Sequence, residues 1–388
     1  MPDRSYFDWN ATTPLRPEAA SALHAALLLG GNPSSVHAEG RAAHRVVEQA
    51  REQVAALVAA RPADVFFTSS GTEANMLALT PAIETRSERQ PRDKLLMSAV
   101  EHSSVRAGGR FSRDAIADLP VDADGCVDLA ALKEAVGGAS RPLVSIMLAN
   151  NETGVLQPVA EAAAIVHEAG GLLHVDAVQA AGRIPVDIGT LGADIITLSA
   201  HKIGGAKGAG ALVRRSEDFH IADPLIRGGG QERGMRAGTE NVAGIGAFGA
   251  AAVAVRNSLA AEADQMRSLR DKLETGLKVI APQVVVFGSA AGRLPNTTLF
   301  AVEGLKAETA VIAFDLEGIA VSSGAACSSG KVQPSHVLAA MGVSPPLLRG
   351  AVRISLGWTT TESDIERFLT AWRKLATALS KGRRGIAA

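Results

Sequence analysis

The chain has 388 residues, 47% hydrophobic and 20% charged, with a formal net charge of −1. This is the composition of a soluble globular protein long enough for two domains, and the near-neutral charge excludes a bulk electrostatic pull toward nucleic acid or anionic membrane. Its two cysteines, Cys126 and Cys327, are too few for a disulfide framework and point to a reducing compartment, here expected to be the cytoplasm. The N-terminal residues show no basic stretch followed by an apolar run, so no signal peptide is expected. The most apolar run, residues 243–255, is mostly Ala and Gly, is too short to span a bilayer, and reads as a packed helix.

Residues 5–14 read as a short extended arm, and Gly30-Gly31-Asn32-Pro33 as a turn. From about Ala38 a helical pattern places Val46, Val47, Val54, Leu57 and Val58 on one face and ends before Pro62. Residues 65–67 predict a strand running into Thr68-Ser69-Ser70-Gly71-Thr72-Glu73, with a helix onward to about Leu79. Loop amides and hydroxyls at such a junction can hold an anion at the positive helix end. A Ser or Thr cap followed by Glu is also common without any ligand. Residues 95–97 predict a buried strand that ends toward Glu101-His102, and residues 111–142 read as polar turns with a helix near 129–136. Cys126 lies between Gly125 and Val127 in a polar stretch and reads as structural or incidental.

A strand over residues 143–148 leads into Asn150-Asn151-Glu152-Thr153-Gly154, and one over 172–175 into Asp176-Ala177-Val178-Gln179, with a helix between them. The apolar run 195–198 then delivers Ser199-Ala200-His201-Lys202, followed by Gly204, Gly205, Gly208 and Gly210. Strand, polar residues, one lysine, then glycines is a way to present one amine to a bound ligand. The working reading is that Lys202 forms a Schiff base with pyridoxal phosphate. Strands alternate with helices across residues 60–215, which predicts an α/β fold with a largely parallel sheet covered on both faces. His102, Asn151, Asp176 and Gln179 all fall at carboxyl ends of predicted strands, the edge where such sheets bind ligands.

Residues 227–241 form a glycine-rich basic loop, either a connector or a phosphate contact. A helix over about 259–280 leads to strand candidates at 284–287, 297–302, 319–322 and 352–356, an α+β lobe. The last helix has Thr361 and Asp364 at capping-box spacing, with Asp in place of Glu or Gln. Cys327 sits in Ser322-Ser323-Gly324-Ala325-Ala326-Cys327-Ser328-Ser329-Gly330, a small, polar, mobile-looking loop beside Lys331. That setting suits an exposed, reactive thiol better than a buried structural one.

Nine strings in order resemble the cysteine desulfurases of the iron–sulfur-cluster type, within the class-V aminotransferase group of pyridoxal phosphate enzymes. They are Tyr6-Phe7-Asp8 with Ala11-Thr12-Thr13-Pro14, the segment from Gly31 to His37, the segment from Phe67 to Asn75, and Asn150-Asn151-Glu152-Thr153-Gly154. The series goes on through His174-Val175-Asp176-Ala177-Val178-Gln179, Ser199-Ala200-His201-Lys202 and Arg236-Ala237-Gly238-Thr239-Glu240-Asn241, and closes with the Cys327 loop and Arg353-Ile354-Ser355-Leu356-Gly357. The resemblance implies fold type I: a large domain (residues 15–256) with a mainly parallel seven-stranded sheet, and a small α+β domain (1–14 and 257–388) carrying the cysteine loop.

The resemblance also implies roles. Lys202 carries the cofactor, Asp176 pairs with its pyridine nitrogen, and Gln179 and Asn151 contact the ring-oxygen region. His102 stacks on the ring and shuttles protons, while Gly71, Thr72, Ser199 and His201 hold the phosphate. Thr239 reaches the phosphate in the neighbouring subunit of a homodimer. Arg353, assisted by Asn32, takes the carboxylate of L-cysteine. Cys327 receives the sulfur as a persulfide, hands it to an acceptor such as an iron–sulfur scaffold protein, and transiently contacts a nascent cluster. No nucleic acid or membrane partner is implied.

The chain departs from the family pattern at Ser69-Ser70, at Met76, at Ser103-Ser104-Val105 after His102, and at Ala206, and none of these removes a catalytic group. Another class-V enzyme, such as an aminotransferase or a selenocysteine lyase, would share the cofactor residues, but a transaminase has no use for the thiol. An inactive sulfur-carrier or scaffold partner would be expected to lack Lys202, Asp176 or Cys327, and this chain keeps all three.

Overall fold

Short runs rich in Val, Ile, Leu and Phe become strands because their alternate side chains enter different cores. The computed structural model describes residues 4–86, 88–324, 327–328, 331–332 and 334–386, with 327–328, 331–332 and 381–386 as backbone. Seven of its strands form one sheet: β1 (Val65–Thr68), β2 (Lys94–Ser98), β3 (Ile116–Leu119), β4 (Pro142–Ser145), β5 (Leu172–Asp176), β6 (Ile195–Ser199) and β7 (Gly210–Arg214). The order is β1-β7-β6-β5-β4-β2-β3, and β7 alone runs antiparallel to its neighbours. Phe67, Leu96, Val144, Leu173 and Ile196 pack into one core, whereas Phe66, Leu95, Leu143, Leu172 and Ile195 pack into another. Adjacent residues on one strand thus serve opposite faces, as the pleat requires. The sheet is the seven-stranded, mainly parallel one that the resemblance implies.

One helix of 39 residues, Val242–Ile280, joins what the sequence suggested as a packed run and a separate helix. It is long and apolar enough to cross a membrane by length and composition alone. Half of that apolar stretch is nevertheless buried inside the protein. The first half brings Ile245, Phe248 and Val255 to the sheet core, and a Cβ on Gly249 would meet Ala50 Cα at 2.6 Å, so the backbones pack very closely there. The second half places Met266, Leu269, Leu273 and Leu277 in a core with Phe7, Phe300, Phe314, Phe368 and Trp372.

That core backs an antiparallel sheet of β8 (Val285–Val286), β9 (Thr297–Ala301), β10 (Ser322–Ser323) and β11 (Val352–Ser355), ordered β8-β9-β11-β10. The predicted strand at 319–322 divides. Ile319–Ala320 pairs with the N-terminal arm through Ser5–Tyr6, and Ser322–Ser323 joins the sheet. The final helix, Glu362–Ile386, is capped reciprocally: Asp364 N donates to Thr361 Oγ1 at 3.2 Å and Thr361 N to Asp364 Oδ2 at 2.9 Å, so Asp serves where Glu is usual.

Three further departures from the sequence reading are structural. Residues read as polar turns contain β3, whose Ile-Ala-Asp-Leu lies at the sheet edge and is only partly buried, so its apolar signal is weak. The helix Pro17–Leu27, which the sequence reading did not anticipate, is Ala-rich, and its patterning is blurred by an exposed Leu27. The Cys327 segment, read as a loop, has Cys327–Ser328 paired along the backbone with Lys331–Val332.

Candidate active site

The parallel strands β2, β4, β5 and β6 end at one edge and deliver His102, Asn151, Asp176 and Lys202 to a cavity of about 220 Å³. Its walls also include Gly71, Thr72, Gln179, Ser199 and His201. Gly71 opens the helix Gly71–Ala78, where Ser70 Oγ caps the chain by accepting from Glu73 N at 3.1 Å. A Cβ at Gly71 would sit 3.0 Å from Val178 Cγ2 and 3.3 Å from Ser199 Cβ, so glycine keeps this helix start close to the strand ends.

Lys202 Nζ donates to Asn10 O and, at 3.0 Å, to Ala11 O. Burial lowers its pKa from 10.5 to about 7, the Arg353 and Arg183 cations add to the effect, and the Asp176 and Asp8 carboxylates oppose it. Arg183 is itself buried; its guanidinium donates to two carbonyls, Gln179 O at 2.7 Å and Trp9 O at 3.3 Å, and burial lowers its pKa to about 10. Arg353, on β11, donates to Asn151 O at 2.9 Å and to Asp8 Oδ1 at 2.8 Å, which puts a guanidinium beside the Asn151 wall of the cavity. His201 is lowered to about 4, first by burial and then by the neighbouring Lys202, Lys207 and Arg183 cations.

Asp176 accepts from Asn75 Nδ2 at 2.8 Å and from Val178 N at 3.0 Å. His102 Nδ1 lies 2.8 Å from Ser104 Oγ and accepts from Ser104 N at 3.2 Å. Because a backbone N–H can only donate, the proton of neutral His102 is assigned to Nε2. Burial also lowers the His102 pKa. Two buried carboxyls stand behind these groups. Glu101 is pushed well up by burial and by Asp176, and Glu152 is pushed up to about 7 by burial, while the Arg353 charge and a hydrogen bond from Ser335 oppose the shift.

Asn10 joins the arm to the site. Its carbonyl receives Lys202 Nζ and Gln179 Nε2, and its amide nitrogen reaches Asn151 O at 3.2 Å and Thr297 Oγ1 at 2.9 Å. Asn10, Asn75, Ser104 and Arg183 were given no role by sequence reasoning. Asn75 at least lay inside a recognised string, but a buried arginine bonded to carbonyls leaves no pattern in sequence.

Two expected residues stand apart. Asn32 is exposed, accepts from Ser34 N at 2.9 Å, and does not line the cavity. Its turn Pro33-Ser34-Ser35 holds it outside. Thr239 is also exposed and lines a different recess with Ser69, Glu232 and Arg236. The loop beneath it is pinned where Arg51 grips Glu232 with both nitrogens, at 2.7 and 2.9 Å, and Glu232 takes a left-handed φ of 46°. The Cys327 side chain lies outside the described residues.

The cavity fits pyridoxal phosphate on its own chemistry. It offers an amine of lowered pKa, a carboxylate held by donors, and a helix N-terminus beside Thr72, Ser199 and His201. Gln179 Oε1 is buried without a hydrogen-bond partner among the described residues, an acceptor left for a bound group to satisfy.

The comparisons agree. The aminotransferase class-V family model matches residues 5–368. A cysteine desulfurase from Cereibacter sphaeroides is 43% identical over 374 residues, 95% of this chain and 94% of that protein. An IscS-like cysteine desulfurase from Mycobacterium tuberculosis is 38% identical over 99% of this chain and 98% of its own. The X-ray structure of a NifS-like protein from Rickettsia africae superposes with a TM-score of 0.87 at 37% identity, covering 96% of this chain and 99% of that one. Similarity that runs unbroken from the N-terminal arm into the last helix, around a cavity that fits the cofactor, leaves one placement: the chain belongs to the class-V aminotransferase family, alongside its cysteine desulfurases.

Proposed function

We propose that this protein is a cysteine desulfurase, which removes sulfur from L-cysteine, releases L-alanine and holds the sulfur as a persulfide on Cys327 for an acceptor protein. The observation that carries the reading is the convergence of Lys202, Asp176 and the Gly71 helix start in one cavity, with Arg353 bonded to its Asn151 wall. Bound there, pyridoxal phosphate supplies an electron sink for the pair left when a proton departs from the substrate Cα. Lys202, with a pKa near 7, takes that proton at Nζ. Arg353 offers the substrate carboxylate a bidentate partner, in competition with Asp8.

Asp176 serves the pyridine nitrogen, Gln179 and Asn151 the ring-oxygen region, and Gly71, Thr72, Ser199 and His201 the phosphate. His102 stacks on the ring and supplies a proton from Nε2. The Cys327 thiolate forms an S–S bond with the substrate sulfur as the C–S bond breaks. Sulfur is oxidised to the sulfane level, and the electron pair of the broken bond ends, with a proton, as a C–H bond of alanine. No outside oxidant enters the balance.

The working unit is a homodimer in which Thr239, exposed and lining a different recess from the cavity of its own Lys202, completes the phosphate site of the partner. The acceptor is an iron–sulfur scaffold or another sulfur-using protein, and Cys327 meets a nascent cluster transiently when the scaffold docks. Chemistry that starts from a free thiol belongs in a reducing compartment, the cytoplasm. The test is mass spectrometry after L-cysteine is added. One sulfur should appear on the Cys327 peptide with alanine release, and Cys327→Ala should still bind substrate but form no persulfide. Normal turnover by that variant would remove Cys327 from the mechanism.

A further inference from the structure

The mechanism leaves unused a chain of buried polar side chains that runs inward from the cavity wall, where Asn75 and Ser104 stand. Ser145, His174, Thr197 and Asn75 are all almost fully buried, and Ser104 nearly so. Ser145 Oγ lies 2.8 Å from His174 Nδ1, His174 Nε2 lies 3.2 Å from Thr197 Oγ1, and Thr197 Oγ1 donates to Asn75 Oδ1. On its other side, Asn75 Nδ2 donates to both Asp176 Oδ2, at 2.8 Å, and Ser104 Oγ, at 2.9 Å. Ser104 in turn meets His102 Nδ1 through its hydroxyl at 2.8 Å and its backbone N–H at 3.2 Å.

The direction of every bond is fixed by the inventory of donors and acceptors. A carboxylate oxygen of Asp176 only accepts, so the Asn75 nitrogen must face it. Asn75 Oδ1 then accepts from Thr197, whose oxygen is free to accept from His174 Nε2–H. His174 Nδ1, left without a proton, accepts from Ser145. This agrees with His174 being neutral, its pKa lowered by burial to about 4. On the cavity side, Ser104 Oγ receives the second Asn75 N–H, and because His102 Nδ1 already accepts from Ser104 N–H it can only accept from the Ser104 hydroxyl as well.

We infer that Asn75 is a positioning residue that acts through Ser104 to hold His102 as the Nε2–H tautomer while fixing the Asp176 carboxylate. One amide nitrogen sets the two groups together. Neither a carboxylate nor an aliphatic side chain at position 75 could do so, because the first lacks the donors and the second lacks the acceptor for Thr197. Ser104 lies in one of the stretches where the sequence departs from the family pattern, so the relay is argued for this chain and not for the family. The inference deepens the proposed reaction and rests on it only for its consequence, that His102 presents a proton to the cavity and not a lone pair. The tautomer itself can be read without turnover.

The test is nitrogen-15 NMR of histidine-labelled protein, with cofactor bound and after its removal, the His102 signal being assigned by its loss in His102→Gln. Wild-type His102 should show the neutral Nε2–H pattern across pH 6–8. Asn75→Asp keeps the acceptor for Thr197 but draws the Ser104 hydroxyl proton toward position 75, so neutral His102 Nδ1 keeps only the Ser104 N–H and the protonated ring gains Ser104 Oγ as an acceptor. The imidazolium-to-imidazole ratio at a fixed pH should rise by about tenfold, one pK unit. A carboxyl at position 75 stands where Asn75 met Asp176 at 2.8 Å, so the pair shares one proton and the net charge facing His102 stays the same, while Lys202 and His336, the other titratable groups acting on His102, are untouched. Removing the hydroxyl in Asn75→Asp/Ser104→Ala should return His102 to the neutral Nε2–H state, a rescue that a general packing defect would not give. An unchanged His102 signal in Asn75→Asp, or no rescue in the double variant, overturns the inference. If Asn75→Asp does not fold, the wild-type spectrum alone decides: a proton on Nδ1 refutes the relay. Absence of persulfide on wild-type Cys327 would instead refute the proposed reaction and leave the tautomer result standing.

Discussion

The free amine of Lys202 gives the sharpest quantitative test. A pKa of about 7 leaves about three-quarters of the amine neutral at pH 7.5, against about 0.1% for an ordinary lysine, roughly a 750-fold difference in available nucleophile. Cofactor-free protein should therefore recapture pyridoxal phosphate at a rate that rises with pH only to a plateau near pH 8. Stripping the cofactor, adding it back between pH 5.5 and 10, and trapping the adduct with borohydride gives the profile; Lys202→Ala should give no trapped adduct. Arg183→Met removes a cation that disfavours protonated Lys202 and should move the midpoint up. Asp8→Asn removes an opposing anion and should move it down. A wild-type rate that climbs about tenfold per pH unit up to pH 10 would refute the buried-amine argument.

Glu152 has a folded pKa of about 7, above its ordinary 4.5, so its contribution to stability is full below about pH 4.5 and lost as pH rises through 7. The change is on the order of 3 kcal/mol. The stability difference between wild type and Glu152→Gln should vary over that window, and a difference constant from pH 4.5 to 8 would contradict the assignment. At Gly357 a new Cβ would lie 2.0 Å from Trp9 Cε3, so Gly357→Ala should cost about 1–3 kcal/mol in thermal unfolding and also slow turnover, because Trp9 adjoins Asn10. Thr239→Ala should lose cofactor faster on dialysis, and mixed dimers of Thr239→Ala with Lys202→Ala subunits should retain one intact site, where a site built within one subunit would leave none. A fully active, stable monomer would contradict the shared site.

The strand ends were legible because buried parallel strands read as apolar runs, and each run here stops at a polar residue that the fold then uses: His102, Asn151, Asp176, Lys202. The edge strand β3 was not legible, because Ile116 and Leu119 are its apolar pair and only Leu119 is fully buried. The single long helix was hidden because its first half is mostly Gly and Ala, which pack by close approach, with only Ile245, Phe248 and Val255 as large buried apolar residues, whereas the second half shows a fuller apolar stripe. The relay from His174 to Ser104 was illegible for another reason. It is drawn from two strands and two helices far apart in sequence, and its meaning lies in bond direction, which no spacing encodes.

The N-terminal arm and β11 explain how one site is shared between two cores. Ser355 N donates to Phe7 O at 2.8 Å and Asn10 N to Ser355 Oγ at 2.9 Å, so the arm is stitched to the strand that carries Arg353. The same arm offers the Asn10 and Ala11 carbonyls to Lys202. The guanidinium for the substrate carboxylate and the amine for the Cα proton are therefore set in register by one short segment. Further along the same edge of β11, Ser322 stands across from Arg353, and Gly324 N donates to Ala351 O at 2.8 Å. Cys327 follows Gly324 by three residues, so its Cα lies within about 11 Å of that anchor. The pairing of Cys327 with Val332 is held from the return side as well, where Ser335, three residues after Val332, is hydrogen-bonded to Glu152. A thiol on such short legs works from a restricted volume next to the Arg353 strand. Lengthening the leg between Gly324 and Cys327 should therefore slow persulfide formation more than substrate binding, and an insertion of four glycines that left persulfide formation unchanged would show that the anchors do not confine it.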